Sequence, residues 1–153
     1  MSRLLLLIFM FVYVCPMSGL TSKNTSYRLT LEYLMAYKWY PDVYGKNSPR
    51  SSVVTFTSTQ QETVVSIKGG KQKNYILDYY LSDTKDLTFN TDKVGKTQSG
   101  KYLILKRETE TEEFLTFILE VIFMSEEKMS VTNWTEGYTS YGHTTTYYTS
   151  PLR

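Results

Sequence analysis

Short strand-like segments, separated by turn signals about every ten residues, constrain the fold of this chain more than any other feature. Within them every second residue is apolar, or both faces are, and Tyr, Thr and Val are frequent. Alanine, the best helix former, occurs once, at Ala36. This pattern predicts an all-β fold, a single antiparallel β-sandwich, with a small β-barrel as the alternative.

The predicted strands span 27–38, 52–58, 62–68, 74–81, 101–107, 113–124 and 129–134, with a short one at 87–89. Helical spacing also fits part of the first segment, and a buried helix is the rival interpretation for 113–124, where both faces are apolar. The clearest turn is at Gly69 and Gly70, since glycine supplies the positive φ angles that a two-residue hairpin needs.

Residues 1–19 are predicted to be a cleaved signal peptide. Arg3 precedes an apolar run, Leu4–Val14, and Pro16 then interrupts the helical pattern. The run has 11 residues, whereas a membrane-spanning helix needs about 20. The end of the sequence also lacks the apolar tail of a lipid-anchor signal. We therefore expect a secreted, extracellular protein with no stable membrane anchor.

Cleavage of the signal peptide would remove Cys15, the one cysteine, so the mature chain would be held together by its core alone. The remainder divides into a β-sandwich domain, 20–134, and a Tyr- and Thr-rich segment, 135–153, which is either a tail or an edge strand. Without Arg3 the chain has 16 Lys+Arg against 15 Asp+Glu. That balance gives no reason to expect nucleic acid as a partner.

Aromatic residues of two loop-like segments are the predicted ligand contacts. Trp39, Tyr40 and Tyr44 lie where prolines and a glycine interrupt the strand pattern, and Tyr138 and Tyr141 lie in the Tyr-rich segment. Trp and Tyr bury a large area at a small entropic cost. They predict a non-enzymatic protein that binds an extracellular protein or glycan. The rival interpretation is that the segment around Trp39 plugs one end of the fold.

Two other functions remain open. A lipocalin-like barrel would carry a small apolar ligand in a cavity lined by inward Leu, Ile, Phe and Tyr side chains. A hydrolase that uses two carboxylates needs neither His nor Cys, and Glu120, in an apolar strand, is its best candidate. Pairing of Glu120 with a neighbouring Lys or Arg is the simpler interpretation.

The sequence has no catalytic, metal-binding or cofactor motif. His143 is the only histidine, and no nucleophile or orienting carboxylate stands at a suggestive spacing from it. We therefore expect no enzymatic activity, no metal and no cofactor. Two N-glycosylation sequons begin at Asn24 and Asn133, and the second is a good acceptor only if it is exposed.

Overall fold

The computed structural model describes residues 26–43, 50–108 and 114–151. The predicted signal peptide at 1–19, the sequon residue Asn24 and the aromatic residue Tyr44 lie outside these residues. What the sequence predicts for these residues therefore stays a prediction.

Strands dominate the described part of the chain. In order, its elements are β1 (Leu29–Thr30), α1 (Leu31–Met35), β2 (Tyr37–Pro41), β3 (Arg50–Phe56), β4 (Gln60–Ile67), β5 (Lys71–Ser82), a 3₁₀ turn (Thr91–Lys93), β6 (Ser99–Gly100), β7 (Tyr102–Glu108), β8 (Phe114–Met124), β9 (Lys128–Asn133) and β10 (Thr144–Pro151). This content confirms the all-β prediction. Within these residues, no helix combines the length and the apolar character needed to cross a membrane.

Eight strands form one closed antiparallel barrel. Its order follows the chain from β2 through β5 and from β7 to β10, and β10 then pairs with β2, with Thr149 opposite Trp39. The fold is thus the barrel that the sequence analysis held as the alternative, and not the sandwich. The physical reason is that β10 pairs on both sides, so the sheet closes on itself and does not split into two facing layers.

The predicted long strand at 27–38 is wrong, because α1 interrupts it. The side-chain oxygen of Thr30 accepts a hydrogen bond from the backbone nitrogen of Tyr33 at 3.1 Å, which caps the start of the helix. Leu31 and Leu34, three residues apart, are both buried. Over Leu31–Met35 the chain therefore follows the helical spacing noted in the sequence and not the strand alternation.

Helix α1 and Trp39 close one end of the barrel, which we call the floor. The Trp39 indole is completely buried, and its Nε1 donates a hydrogen bond to the carbonyl oxygen of Leu34 at 2.9 Å. The rings of Tyr33 and Tyr37 pack edge-on against it, with centroids 5.2 and 5.7 Å away. The plug interpretation of this segment is the one that the burial of Trp39 supports.

A second apolar cluster lies on the outer face of the barrel. Its buried members are four outward side chains of β5, β7 and β8: Tyr80, Tyr102, Ile104 and Ile118. The partly buried Phe89, Val94 and Trp134 pack against them. The outward face of β8 is therefore covered at Ile118, whereas Phe114 and Ile122 on the same face are 58% and 43% exposed. The strand interpretation of 113–124 is confirmed by β8 itself. Phe89 is not in a strand, but its ring packs 5.1 Å from that of Tyr80.

The connection between β5 and β6 is fixed by Asp86. Its carboxylate accepts hydrogen bonds from Lys93 Nζ at 2.7 Å and from Thr84 Oγ1 at 2.6 Å. The hydroxyl of Tyr80 donates a third, at 2.9 Å. Partial burial by itself raises the pKa of Asp86, but these hydrogen bonds outweigh that effect and hold the pKa below its ordinary value. The ionised carboxylate thus anchors the cover of the outer cluster.

Two glycine sites have a specific conformational role. Gly69 and Gly70 have φ angles of +102° and +84°, which confirms the predicted hairpin turn between β4 and β5. Gly100, in β6, packs so closely on β5 that a Cβ there would lie 2.4 Å from the backbone nitrogen of Ser82. Strand β6 pairs with β1 as a separate two-stranded sheet.

Candidate functional site

The barrel interior is mostly sealed toward the floor and more accessible away from it. Ten inward side chains are at most 7% exposed: Trp39, Val54, Phe56, Tyr79, Leu81, Leu103, Leu105, Val121, Met129 and Val131. Four inward side chains at the floor end are nevertheless half-buried: Tyr37, Gln61, Met124 and Thr149. Away from the floor, the inward Ser52 and Asn133 are 7% exposed, and the other inward side chains include a half-buried set: Thr63, Val65, Ile67, Leu77, Leu115, Phe117, Leu119, Thr145 and Tyr147. The second end, where β4 turns into β5, is called the mouth.

Two incomplete strand pairings explain this gradient. In the described part of the chain, β2 pairs with β3 only at Trp39 and Val54. Strand β5 pairs with β7 only over Tyr79–Ser82, so that its residues 71–78 pair with β4 alone. The unit β3–β4–β5 therefore separates from its neighbours toward the mouth. Strand β4 itself pairs with β3 and β5 along its length, and the incomplete pairings are those of β3 with β2 and of β5 with β7.

Tyr147 provides a polar group inside the barrel. It lies on β10 opposite Met129 and Pro41, and it packs against the inner core. Burial raises its pKa to about 12, yet its side chain keeps partial exposure. Among the described residues its hydroxyl has no hydrogen-bond partner, and no fully buried side-chain polar atom lacks one. Within the described residues, the hydroxyl is therefore not counted among the fully buried atoms without a partner.

Arg107, on the inward face of β7, organises one side of the mouth. Its guanidinium lies 5.7 Å from the ring centroid of Phe117 and donates a hydrogen bond to the hydroxyl of Tyr138 at 3.1 Å. The rings of Phe117 and Tyr138 meet edge-on at 4.7 Å. Together these three residues present an aromatic surface with a positive charge at the mouth.

The predicted ligand contacts do not form one surface. Trp39 lies in the floor, Tyr138 at the mouth, and Tyr40 points outward from β2 with 40% of its surface exposed. Tyr141 is 50% exposed and packs against Trp134, 5.6 Å between ring centroids, on the outer side. Of these four, only Tyr138 lies beside the half-buried interior. Ligand binding by any of them stays a prediction.

Glu120, the best candidate for an acid catalyst, has both carboxylate oxygens engaged. Lys101 Nζ lies 2.6 Å from Oε1, and the indole nitrogen of Trp134 donates to Oε2 at 2.6 Å. Partial burial by itself raises the pKa of Glu120, but these partners outweigh it and lower the pKa below its ordinary value. A general acid needs a raised pKa, so Glu120 acts as half of a structural ion pair.

His143 and Asn133 belong to the turn between β9 and β10. His143 is exposed, and its carbonyl oxygen accepts from the backbone nitrogen of Asn133 at 3.0 Å. Asn133 is 7% exposed; its amide donates to Ser140 Oγ at 2.6 Å and accepts from the Thr135 backbone nitrogen at 2.8 Å. The side chain does not meet the exposure condition for a glycan acceptor. In the described part of the chain, no three His, Cys, Asp or Glu side chains could jointly hold a metal ion.

A groove of about 500 Å³ runs along the outside of the floor, between α1, Ser58 and Gln98. It is open to solvent and is lined by the polar side of α1, with Glu32, as well as by Leu31 and Met35. Its lining includes neither Trp39 nor Leu34, which are completely buried, and none of the half-buried inward residues near the mouth.

Comparison of the chain with family models, with curated proteins and with solved structures finds no match. The site therefore has to be judged on its geometry alone.

Sequence reasoning missed the residues that distinguish the mouth. Lys71 and Lys73 precede the predicted strand 74–81. If its alternation is continued backward from Tyr75, both lysines fall on its inward face. Tyr147 lies in segment 135–153, for which the sequence leaves a tail and an edge strand open; the structure has a strand there, β10, and it pairs on both sides and is not an edge.

Proposed function

We propose that this protein is a carrier that binds a small molecule with an apolar body inside the barrel. The observation that carries the proposal is the contrast along one inward face. Most inward side chains near the floor are sealed, whereas Val65, Leu77 and Phe117 nearer the mouth are half-buried. Apolar side chains that face inward but stay accessible are the lining that a concave ligand site requires.

The polar groups of the same face fit this function. A small-molecule site in a protein is mostly apolar, with a few polar groups that orient the ligand. The hydroxyls of Tyr147 and Thr63 supply such groups, and the Tyr147 hydroxyl is free of partners among the described residues. A closed barrel of eight strands has an interior that is either filled by side chains or holds one small ligand.

The test uses two adjacent valines on opposite faces of β4. Val65 lies opposite Ser52 on the inward face, and Val64 lies opposite Val53 on the outward face; both are half-buried. Binding of the neutral fluorophore N-phenyl-1-naphthylamine is measured by its emission increase, for the wild type and for the Val65→Phe and Val64→Phe variants. Far-ultraviolet circular dichroism checks that each variant is folded.

The carrier function predicts saturable binding to the wild type, a loss of at least about tenfold in affinity for Val65→Phe, and little change for Val64→Phe, because only the inward ring fills the site. The proposal fails if the wild type binds no such probe, or if the two folded variants bind equally well.

A second candidate is recognition of an extracellular protein or glycan by the outer surface. Tyr40 and Tyr148 lie opposite each other on β2 and β10, with 40% and 48% of their surfaces exposed. Paired exposed tyrosines are common in binding surfaces. A glycan array and a pull-down from extracellular fluid, each with wild type and Tyr40→Ser/Tyr148→Ser, test it: the candidate requires a ligand that the double variant loses.

A further inference from the structure

We propose that the mouth of the barrel selects ligands with an anionic head group, such as a carboxylate or a phosphate or sulfate ester, attached to the apolar body. This inference rests on the carrier function proposed above. Its basis is the sign of the charges on the inward face of the barrel wall.

The inward face carries charge only near the mouth, and in the described strands every inward charge is positive. Lys71 and Lys73 share a face with Tyr75 because they lie opposite Ile67 and Val65 of β4. Two arginines complete the set. Arg50 of β3 lies opposite the inward Ile67 of β4, and Arg107 of β7 lies two residues beyond the inward Leu105.

The outward face of the same strands has no such bias. Its acidic residues are Glu62, Asp78, Glu108 and Glu120, and its basic residues are Lys38, Lys106 and Lys128. The chain as a whole is close to neutral, with 17 Lys+Arg and 15 Asp+Glu. Positive charges at the mouth therefore do not follow from the composition. They follow from which face of each strand the basic residues occupy.

Within the described residues, the two lysine side chains have no partner that neutralises them. Neither the Lys71 nor the Lys73 side chain forms an ion pair or hydrogen bond there, whereas Asn74 and Asp78 on the outward face of β5 bond to Glu62 and Gln60. The guanidinium of Arg107 donates to the neutral hydroxyl of Tyr138, and no ion pair of Arg107 with another described residue is present. Arg50 has an interaction of its own and is not needed for the argument.

This arrangement matches an amphipathic anion by position as well as by sign. An ionised group costs several kcal/mol to bury, on the order of the whole binding energy of a small ligand, so it must stay near water. Lys71 and Lys73 are exposed. The half-buried Val65 lies opposite Lys73, and the half-buried Leu77 lies four residues beyond Lys73 on the same inward face. A ligand can therefore place its apolar body inside while its head group stays beside the ammonium groups.

Three probes of one length distinguish this inference from the carrier function itself. They are dansyl-labelled undecanoic acid, its methyl ester and the corresponding undecylamine, used below the concentration at which they aggregate. We expect the acid to bind at least about tenfold more tightly than the ester and the amine. Raising the salt from about 0.05 M to about 0.5 M should weaken binding of the acid and leave the ester unchanged.

Matched variants locate the effect. Lys73→Gln and Gln72→Glu change the net charge by the same amount, at adjacent positions on opposite faces of β5. The double variants Lys71→Gln/Lys73→Gln and Gln72→Glu/Lys106→Gln extend the comparison. The inward double variant should bring the affinity for the acid to within about threefold of that for the ester, and the outward double variant should keep the preference.

The outcomes separate the two proposals. If none of the probes binds, the carrier function fails and this inference fails with it. If the ester or the amine binds as tightly as the acid, the carrier function stands and the anionic selectivity is overturned. Equal losses in the inward and outward double variants would also overturn it, because the effect would then come from net charge and not from the mouth.

Discussion

The indole nitrogen of Trp39 and the carbonyl oxygen of Leu34 are 2.9 Å apart, so one hydrogen bond joins the first strand of the barrel to the helix beneath it. Trp39 also forms, with Val54, the one strand pairing between β2 and β3 in the described chain. The residue thus fixes the floor in two directions, and the interior can stay open at the other end.

Replacing Trp39 by Phe should therefore destabilise the protein by about 2–3 kcal/mol, because it leaves a cavity and an unpaired buried carbonyl group. Urea unfolding followed by circular dichroism measures the change. Tyr40→Phe is the control on the same strand; that ring is 40% exposed, and we expect a change within about 0.5 kcal/mol. Equal midpoints for the two variants would show that the indole does not hold the floor.

Gly100→Ala should cost about 3 kcal/mol, since its Cβ would lie 2.4 Å from the Ser82 nitrogen and 2.6 Å from the Ser82 oxygen, both in backbone that cannot move alone. Gly142 provides the contrast. It has a φ angle of +74° and nothing within 4 Å of its ideal Cβ, so Gly142→Ala should cost about 1 kcal/mol through conformational strain. Thermal unfolding of both variants checks the order, and the reverse order would contradict the close approach.

Stability should fall as the pH rises from about 10 to about 12. Burial raises the pKa values of Tyr33, Tyr79, Tyr80 and Tyr147 from the ordinary value of 10.0 to about 12. Over that range the unfolded chain releases protons that the folded chain retains, so unfolding becomes more favourable; below pH 10 the stability from these groups is fully present. Urea unfolding at pH 8 and pH 11 measures the loss.

Tyr147→Phe isolates one of these groups. Its hydroxyl has no partner among the described residues, so the variant should match the wild type at pH 8 to within about 0.5 kcal/mol. At pH 11 it should lose about 1 kcal/mol less than the wild type, because one ionising group has been removed. An identical loss in both proteins would mean that Tyr147 does not titrate as a buried phenol.

Asp86→Ala should release the connection between β5 and β6 and destabilise the protein by about 2–3 kcal/mol, because four donors, on Tyr80, Ser82, Thr84 and Lys93, lose their acceptor. Hydrogen exchange read by mass spectrometry should speed up in residues 83–98. Asp83→Ala serves as the control; Asp83 pairs with Arg28 at the surface, with side chains 60% and 50% exposed, and is expected to change stability by less than about 1 kcal/mol. Similar exchange in both variants would refute the anchoring role.

Local patterns predicted the local structure well. The Gly69–Gly70 turn and the two apolar faces of β8 follow from residues close in sequence, and both are present. Closure was not predictable in this way. Whether β10 pairs with β2 depends on the tilt and stagger of eight strands together, and no pattern in 135–153 records the partner across the barrel.

The site was harder to predict because two patterns had a second meaning. Thr30 followed by Leu31 and Leu34 fits a strand alternation and also a capped helix, and the cap decided the outcome. The Asn133 sequon also builds a turn in which the side chain bonds to the backbone two residues on. The inward position of Lys71 and Lys73 was not predicted, because the predicted strand begins at Asn74, after both of them.

The separation of a sealed floor from a loosely paired mouth has a consequence for how this protein can change over generations. The outer and inner clusters both draw on β5, β7 and β8, so the fully buried apolar contacts lie apart from Lys73, Val65 and Thr145, which are exposed or half-buried. Under the carrier function proposed above, substitutions at these three positions would change which ligand binds at little cost to folding. Sequences that keep the floor could then diverge in the ligand that they carry.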